Sequence, residues 1–350
     1  MLSIAFLCSA SSRIGGGHVM RCLALAEELA GGRATVRFAV NQDAPLIVPS
    51  LERAGFSFTT GRTLMEAVQI AGGQGGVDAV ICDSYEIDAK IERSLRKMAA
   101  KVVAIDDLAN RPHACDLLID ATYGRSAEDY RDLVPSGATI CAGANYALLR
   151  QEFAALRETS LARRATAGGV ERVLVSFGLT DIGGVTARVV AALLGTELKA
   201  QIDVVVGPTA QSRIALAEMA ARDSRLALHV DPADMARLMT NADIAIGAGG
   251  TSSWERCCLG LPTVLVVLAD NQRVIAEKLS EAGAVWLVLG AGEDLVAEIT
   301  RKVIELSNDA SARRRMTGAA ALIVDGRGAT RVAEAIYGLA KRDVHADISR

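Results

Sequence analysis

The chain reads as an α/β protein made of two halves, each a parallel sheet covered by helices, with the halves facing a cleft. Three observations lead to this. The 350 residues correspond to about two domains, and 51% hydrophobic against 23% charged residues supplies two apolar cores and excludes a disordered chain. Short, nearly continuous apolar runs alternate with amphipathic stretches along the chain, the pattern of parallel strands buried on both faces. Near the middle, residues 159–169 turn small and polar (Thr-Ser-Leu-Ala-Arg-Arg-Ala-Thr-Ala-Gly-Gly), and a fresh strand follows at Arg172.

In chain order, the expected strands of the first half are Leu2–Cys8, Thr35–Val40, Ala79–Asp83, Val102–Ile105, Leu117–Ile119 and Thr139–Ala142. Those of the second half are Arg172–Phe177, Ile202–Val206, Leu226–Val230, Asp243–Ile246, Pro262–Leu268 and Val285–Leu287. Helical patterns lie between them, at Val19–Leu29, Asp88–Ala99, Gln211–Ala221, Val274–Ala282 and Leu295–Leu306. This divides the chain into a first domain at 1–158, a linker at 159–170, a second domain at 171–340 and a tail at 341–350. The last helical pattern, Ala329–Leu339, is expected to cross back onto the first domain. Open parallel sheets bind ligands beyond the carboxyl ends of their strands, so the loops after the strands should carry the chemistry.

Charge and composition narrow the partners. The net charge of −3 comes without any basic block, and aromatics are only 4%, so no nucleic-acid partner is expected. The seven cysteines include no C-x-x-C pair and mostly sit in apolar runs, which suits buried, reduced residues. No apolar stretch approaches the roughly 18 residues of a membrane span, and the first apolar run is too short for a signal peptide. The expectation is a cytoplasmic monomer without a membrane partner.

The first strand ends in Ser9-Ala10-Ser11-Ser12-Arg13-Ile14-Gly15-Gly16-Gly17-His18, and a helix carrying Arg21 follows. A glycine-rich loop at a helix start suits an anion. The dinucleotide fingerprint fits Gly15 and Gly17 but fails at Met20, and the chain lacks the Gly-Lys pair of a phosphate-binding P-loop. No cofactor is expected. His18 stands in the first helical turn, where the helix dipole disfavours an imidazolium, so a neutral ring is available as a general base. A capping or packed histidine is the competing reading. Asp83-Ser84-Tyr85 also ends a strand, with Tyr85 read as a site residue and Asp83 as a helix N-cap. Asp106-Asp107 are adjacent carboxylates that point apart, and no D-x-D occurs, so no metal site is expected.

In the second half, Ser176-Phe177-Gly178-Leu179-Thr180-Asp181 follows one strand as either a ligand loop or a turn. Gly247-Ala248-Gly249-Gly250-Thr251-Ser252-Ser253-Trp254-Glu255 follows another and opens a helix. Its glycines let backbone approach phosphate oxygens, its hydroxyls supply donors, and Glu255 lies one turn in, placed to accept from two ribose hydroxyls. Asn271 and Gln272 end a further strand, where neutral amides suit sugar hydroxyls or acetamido groups. His229 precedes Asp231-Pro232, read as a helix start. His229, His113 and His345 are read as structural.

These motifs occur in the order of one family. They are Gly15-x-Gly17-His18-x-x-Arg21-Cys22-Leu23-Ala24-Leu25-Ala26, Asp83-Ser84-Tyr85, Asp106-Asp107 and Cys115-Asp116-Leu117-Leu118. Then follow Tyr146-Ala147-Leu148-Leu149-Arg150-x-Glu152-Phe153, Ser176-Phe177-Gly178, Gly250 to Glu255, Asn271-Gln272 and Asp325-Gly326-x-Gly328. The set, spread over residues 2 to 340, resembles the PseG family of UDP-2,4-diacetamido-2,4,6-trideoxy-β-L-altropyranose hydrolases, which act in pseudaminic acid biosynthesis and adopt the GT-B nucleotide-sugar fold. The resemblance implies two Rossmann-like domains with UDP held by the second. It implies His18 as the base that activates water for inverting attack at the anomeric carbon. Arg13, Gly17, Tyr85, Asn271 and Gln272 would contact the sugar. Gly250, Thr251, Ser252 and Ser253 would hold the diphosphate, Glu255 the ribose, and the backbone at Val230 the uracil. Leu179 departs from the family, which often has a second glycine there. Two other functions fit the same fold: a MurG-like transferase moving the sugar from a UDP donor to an acceptor, and a non-catalytic nucleotide-sugar-binding protein.

Overall fold

Alternate residues of the first strand enter different cores, because both faces of its sheet are covered by helices. In β1 (Leu2–Cys8), Ile4, Phe6 and Cys8 join one cluster with helix Gly17–Ala30, while Ala5 and Leu7 join another with helix Leu64–Gly72. The same two-sided burial explains the near-absence of polar residues in the central strands. The computed structural model describes residues 1–31, 34–73, 75–166 and 168–347. Its first sheet comprises β1, β2 (Ala34–Asn41), β3 (Ser57–Gly61), β4 (Val77–Asp83), β5 (Ala99–Ile105), β6 (Leu117–Asp120) and β7 (Thr139–Ala142). They are ordered β3-β2-β1-β4-β5-β6-β7 and all pair in parallel. Register places Phe6 opposite Phe38, and their rings stack at 5.0 Å.

The second sheet comprises β8 (Arg172–Ser176), β9 (Gln201–Val206), β10 (Leu226–Val230), β11 (Ile244–Ala248), β12 (Thr263–Val266) and β13 (Trp286–Val288). Its order, β10-β9-β8-β11-β12-β13, is again all parallel. In each sheet the order reverses once, at β1/β4 and at β8/β11. The loops after those four strands diverge there and leave a crevice. All twelve expected strands are present. The one missed, β3, is an edge strand whose Ser-Phe-Thr-Thr-Gly sequence alternates instead of running apolar.

The segment expected as a linker is instead largely helical. Helix Gln151–Thr166 runs through 159–166 and packs on the second sheet's side. Two of its polar residues face backbone rather than water: Arg164 donates to the carbonyls of Leu259, Ala242 and Met239 at 2.6–3.0 Å, and Ser160 donates to Leu259 at 2.7 Å. The last helix, Gly328–Asp347, returns to the first sheet as expected and places Val332, Ile336 and Leu339 in its core. Burying such side chains contributes about 1.5–3 kcal/mol each. The tail is thus helical to Asp347, while residues 348–350, and the side chain of His345, lie outside the described residues. All seven cysteines are buried and unpaired. No helix among the described residues is long and apolar enough to cross a membrane.

A buried polar network braces the loop after β5. His113 Nδ1 lies 2.7 Å from Glu92 Oε1, and its Nε2 lies 3.8 Å from Asp106. The Tyr130 hydroxyl is 2.9 Å from Asp106 and 2.8 Å from Asp120, and its single proton serves one carboxylate at a time. Burial pulls the His113 imidazole down, but Asp106 and Glu92 more than reverse this and raise it to about 9. A group raised on folding stabilises fully below its unfolded value and loses that contribution as pH climbs through the folded one. Denaturation midpoints are therefore expected to fall between about pH 6.5 and about pH 9, and a His113→Gln variant to lose that slope. Equal slopes in the two proteins count against the assignment.

Candidate active site

The crevice between the sheets encloses about 260 Å³, lined by the loops after β1, β4, β8 and β11 and by Asn271 and Gln272. The halves approach so closely that a β-carbon on Gly17 would lie 3.2 Å from Thr251 Oγ1. His18 is the second residue of helix Gly17–Ala30, whose first turn carries no acidic residue and no side-chain cap. It is buried, with Nδ1 facing Asp83 Oδ1 at 3.5 Å and its ring edge-on to Tyr85 at 4.9 Å.

Asp83 is not the N-cap read from the sequence. Asp88 caps the following helix, and Asp83 turns inward to take a bidentate pair from Arg21, at 2.6 Å from Nε and 2.7 Å from Nη2. Arg21 stands three residues after His18, on the same helix face, and its Nη1 also reaches Asp107 at 3.0 Å. Asp107 accepts from the Tyr85 hydroxyl at 2.9 Å, and Asn271, from the other half, approaches that hydroxyl at 3.4 Å. Burial pushes the Asp83 carboxyl up, but the charge and hydrogen bonds of Arg21 reverse this and hold it below the usual carboxylate range. Burial and then Asp107 push the Tyr85 phenol up, so it stays protonated. Asp83 therefore accepts and does not donate. A histidine whose Nδ1 proton faces such a carboxylate presents Nε2 as a base, and catalytic contacts of this length are of the kind that tighten around substrate.

Of the residues singled out in the sequence, Gly17, His18, Tyr85, Gly250, Thr251, Ser252, Glu255, Asn271 and Gln272 line this one cleft. Arg13, Val230 and Ser253 do not. The Arg13 side chain is exposed, held outward by the tight Ser11–Gly15 bridge. Val230 is exposed at the end of β10, and Asp231 and Pro232 line the cleft in its place. Ser253 is buried and bonded to Arg256. Asp231 does not begin a helix either: it adopts φ +46°, and the next helix starts at Met235. In the loop after β8, Phe177 to Thr180 line the cleft, while Asp181 turns away to accept from Thr186 and Ser212. Burial raises the half-buried Glu255 carboxyl, opposed by the charge of Arg150. His229 pairs with Asp203 at 2.8 Å and His113 with Glu92, both outside the cleft. Arg21, Asp107, Arg150 and Asp231 add charged side chains to the lining. The first three stand in motifs quoted from the sequence; Arg21 and Asp107 find their partners far away in the chain, whereas Arg150 pairs with nearby Glu152.

Arg53 Nη1 lies 2.8 Å from Asp231 Oδ2, an ion pair joining the two halves beside the cleft. Arg53 is half exposed, so the pair is worth at most about 1 kcal/mol and weakens with salt. Arg53→Ala is expected to change ligand affinity by less than about five-fold, and the difference from wild type to vanish in high salt. A larger, salt-independent loss would mean that Arg53 itself contacts the ligand.

Comparisons with known proteins fit this geometry. Residues 209–332 match the glycosyltransferase family 28 C-terminal domain. The UDP-2,4-diacetamido-2,4,6-trideoxy-β-L-altropyranose hydrolase of Campylobacter jejuni is 22% identical over 82% of this chain and 96% of its own. The spore coat polysaccharide biosynthesis protein SpsG of Bacillus subtilis is 24% identical over 94% of this chain and 96% of its own. The uncharacterized protein MJ1062 of Methanocaldococcus jannaschii is 24% identical over 78% of this chain, which spans only 57% of that longer protein. Among solved structures, MurG of Acinetobacter baumannii superposes with a TM-score of 0.64 at 15% identity, covering 97% of this chain and all of its own. The ordered motifs, the two all-parallel sheets and these relatives agree: the chain has the GT-B fold and is related to the PseG-like family that its sequence resembles.

Proposed function

We propose that the protein hydrolyses a UDP-sugar, UDP-2,4-diacetamido-2,4,6-trideoxy-β-L-altropyranose, to UDP and the free sugar. The observation that carries this reading is His18, a buried imidazole backed by Asp83 that faces the Gly249–Ser252 loop across one cleft. A hydrolase needs a base for water on one side of the anomeric carbon and an anion seat for the leaving group on the other. His18 Nε2 takes a proton from water as the water oxygen bonds to the anomeric carbon. The bond from that carbon to the diphosphate oxygen breaks, its electron pair leaves with UDP, and the configuration inverts. Asp83 stabilises the imidazolium formed and stays ionised.

In this reading Gly250, Thr251 and Ser252 hold the diphosphate, Glu255 the ribose, and the sugar lies against Tyr85, Asn271 and Gln272. The uracil lies toward Asp231 and Pro232 rather than Val230. The reading carries with it a cytoplasmic monomer in pseudaminic acid biosynthesis and flagellin glycosylation. Support comes from the named hydrolase relative and from the ordered motifs.

The test is an assay of purified protein with this UDP-sugar in ¹⁸O-water, with UDP-GlcNAc beside it. Release of UDP with the label on the sugar is the expected result. Label on UDP places the attack at phosphorus and overturns the mechanism. UDP release only when an acceptor is added makes the chain a transferase.

A further inference from the structure

Arg256 lies on helix Ser252–Cys258, 2% exposed, directly beneath the Gly249–Ser252 loop. Its Nη1 donates to Ser252 Oγ at 3.1 Å, and its Nη2 to Ala248 O at 2.7 Å and Ser253 Oγ at 3.0 Å. Nε has no partner, and no ion pair to a carboxylate is formed among the described residues. A β-carbon on Gly247 would come within 2.6 Å of Nη1, so glycine there leaves the room this guanidinium fills. Burial draws Arg256 down to about 10, which still leaves it a cation at neutral pH.

A second buried arginine shows what is unusual. Arg164 donates to three backbone carbonyls, with Asp243 close enough for its charge to act on it. Arg256 has one carbonyl and two hydroxyls instead. A hydroxyl oxygen that accepts from a guanidinium keeps its own proton free to donate elsewhere, and Ser252 lines the cleft. The charge of Glu255, next to it in the chain, acts on Arg256 without a hydrogen bond or ion pair between them, and a buried charge without an ion pair is costly. An anion above the loop would supply a further counter-charge.

We propose that Arg256 is the buried counter-ion of a diphosphate seated on the Gly249–Ser252 loop, acting on it by aiming the Ser252 hydroxyl rather than by contact. This deepens the reading of that loop as the nucleoside diphosphate seat and rests on it. Arg256 is a positioning residue that lets the site discriminate a nucleoside diphosphate from its uncharged nucleoside.

The test is calorimetric titration of the full chain with UDP and with uridine, for wild type, Arg256→Gln, Arg256→Lys and Ser252→Ala. Charge-assisted hydrogen bonds set the scale. Arg256→Gln is expected to weaken UDP by about 10–100-fold, with uridine within about two-fold and most of the UDP affinity restored in Arg256→Lys. Ser252→Ala keeps the guanidinium and its fold and is expected to weaken UDP about 5–10-fold, again sparing uridine. Equal losses for UDP and uridine, or unchanged UDP affinity in Ser252→Ala, overturn the proposal. Wild-type protein that binds uridine as tightly as UDP instead removes the diphosphate seat itself, and with it the functional reading.

Discussion

Replacing His18 with alanine is expected to lower kcat by about 10²–10⁴, the usual contribution of a positioned general base. The affinity for UDP should stay within about two-fold, because His18 opens the helix that follows β1 while the proposed UDP contacts all belong to the second half. Loss of rate with binding preserved separates a base from a structural histidine. Asp83→Asn is expected to follow in the same direction. The carboxamide keeps the shape but removes the charge that faces the imidazolium, and it leaves Arg21 with Asp107 alone. Denaturation curves on both variants provide the control, since Asp83 is buried and doubly bonded to Arg21. Wild-type turnover in His18→Ala would sink the mechanism. Wild-type turnover in Asp83→Asn alone would leave His18 acting without a backing carboxylate.

How much of this site was legible in the sequence follows from what each residue needs to be recognised. The placement of His18 and of the Gly250–Glu255 run needed only local information: an apolar strand, a glycine-rich loop, a helix start. The rule that ligands bind where parallel strand order reverses then brings the two loops together, and the structure shows them facing each other. Asp83 was misread because its partner, Arg21, lies 62 residues earlier, and an aspartate at a strand end looks like a cap without it. The helix through 159–166 was misread for the same reason. Arg157, Ser160 and Arg164 look solvated, yet their partners are carbonyls of the other half. Arg256 is not singled out by the sequence, since nothing local shows that its helix face is buried. Edge strand β3 lacked the apolar run because one flank faces no further strand. Patterns with short periods were readable. Ion pairs closed by the fold were not.

Gly328→Ala is expected to destabilise the protein by about 3 kcal/mol, the upper end for forced overpacking, although it adds one methyl group far from the cleft. Gly328 opens the last helix, and a β-carbon there would stand 2.2 Å from Ala147 O and 2.5 Å from Ala147 N. Backbone on both sides leaves no flexible side chain to give way, so the helix start itself must move. Arg331 binds the same segment, donating to Asn145 O at 2.9 Å, and would lose that anchor. Val332 and Ile336 follow on the face that covers β1, so a shift at the first turn opens the first core. Gly338 in the same helix is the internal control. A β-carbon there meets nothing within 4 Å, and Gly338→Ala is expected to stabilise by about 0.5–1 kcal/mol through helix propensity alone. Opposite signs from one substitution type in one helix isolate the close approach as the cause. Equal effects at the two positions would mean that the returning helix is not seated on residues 144–147 in solution.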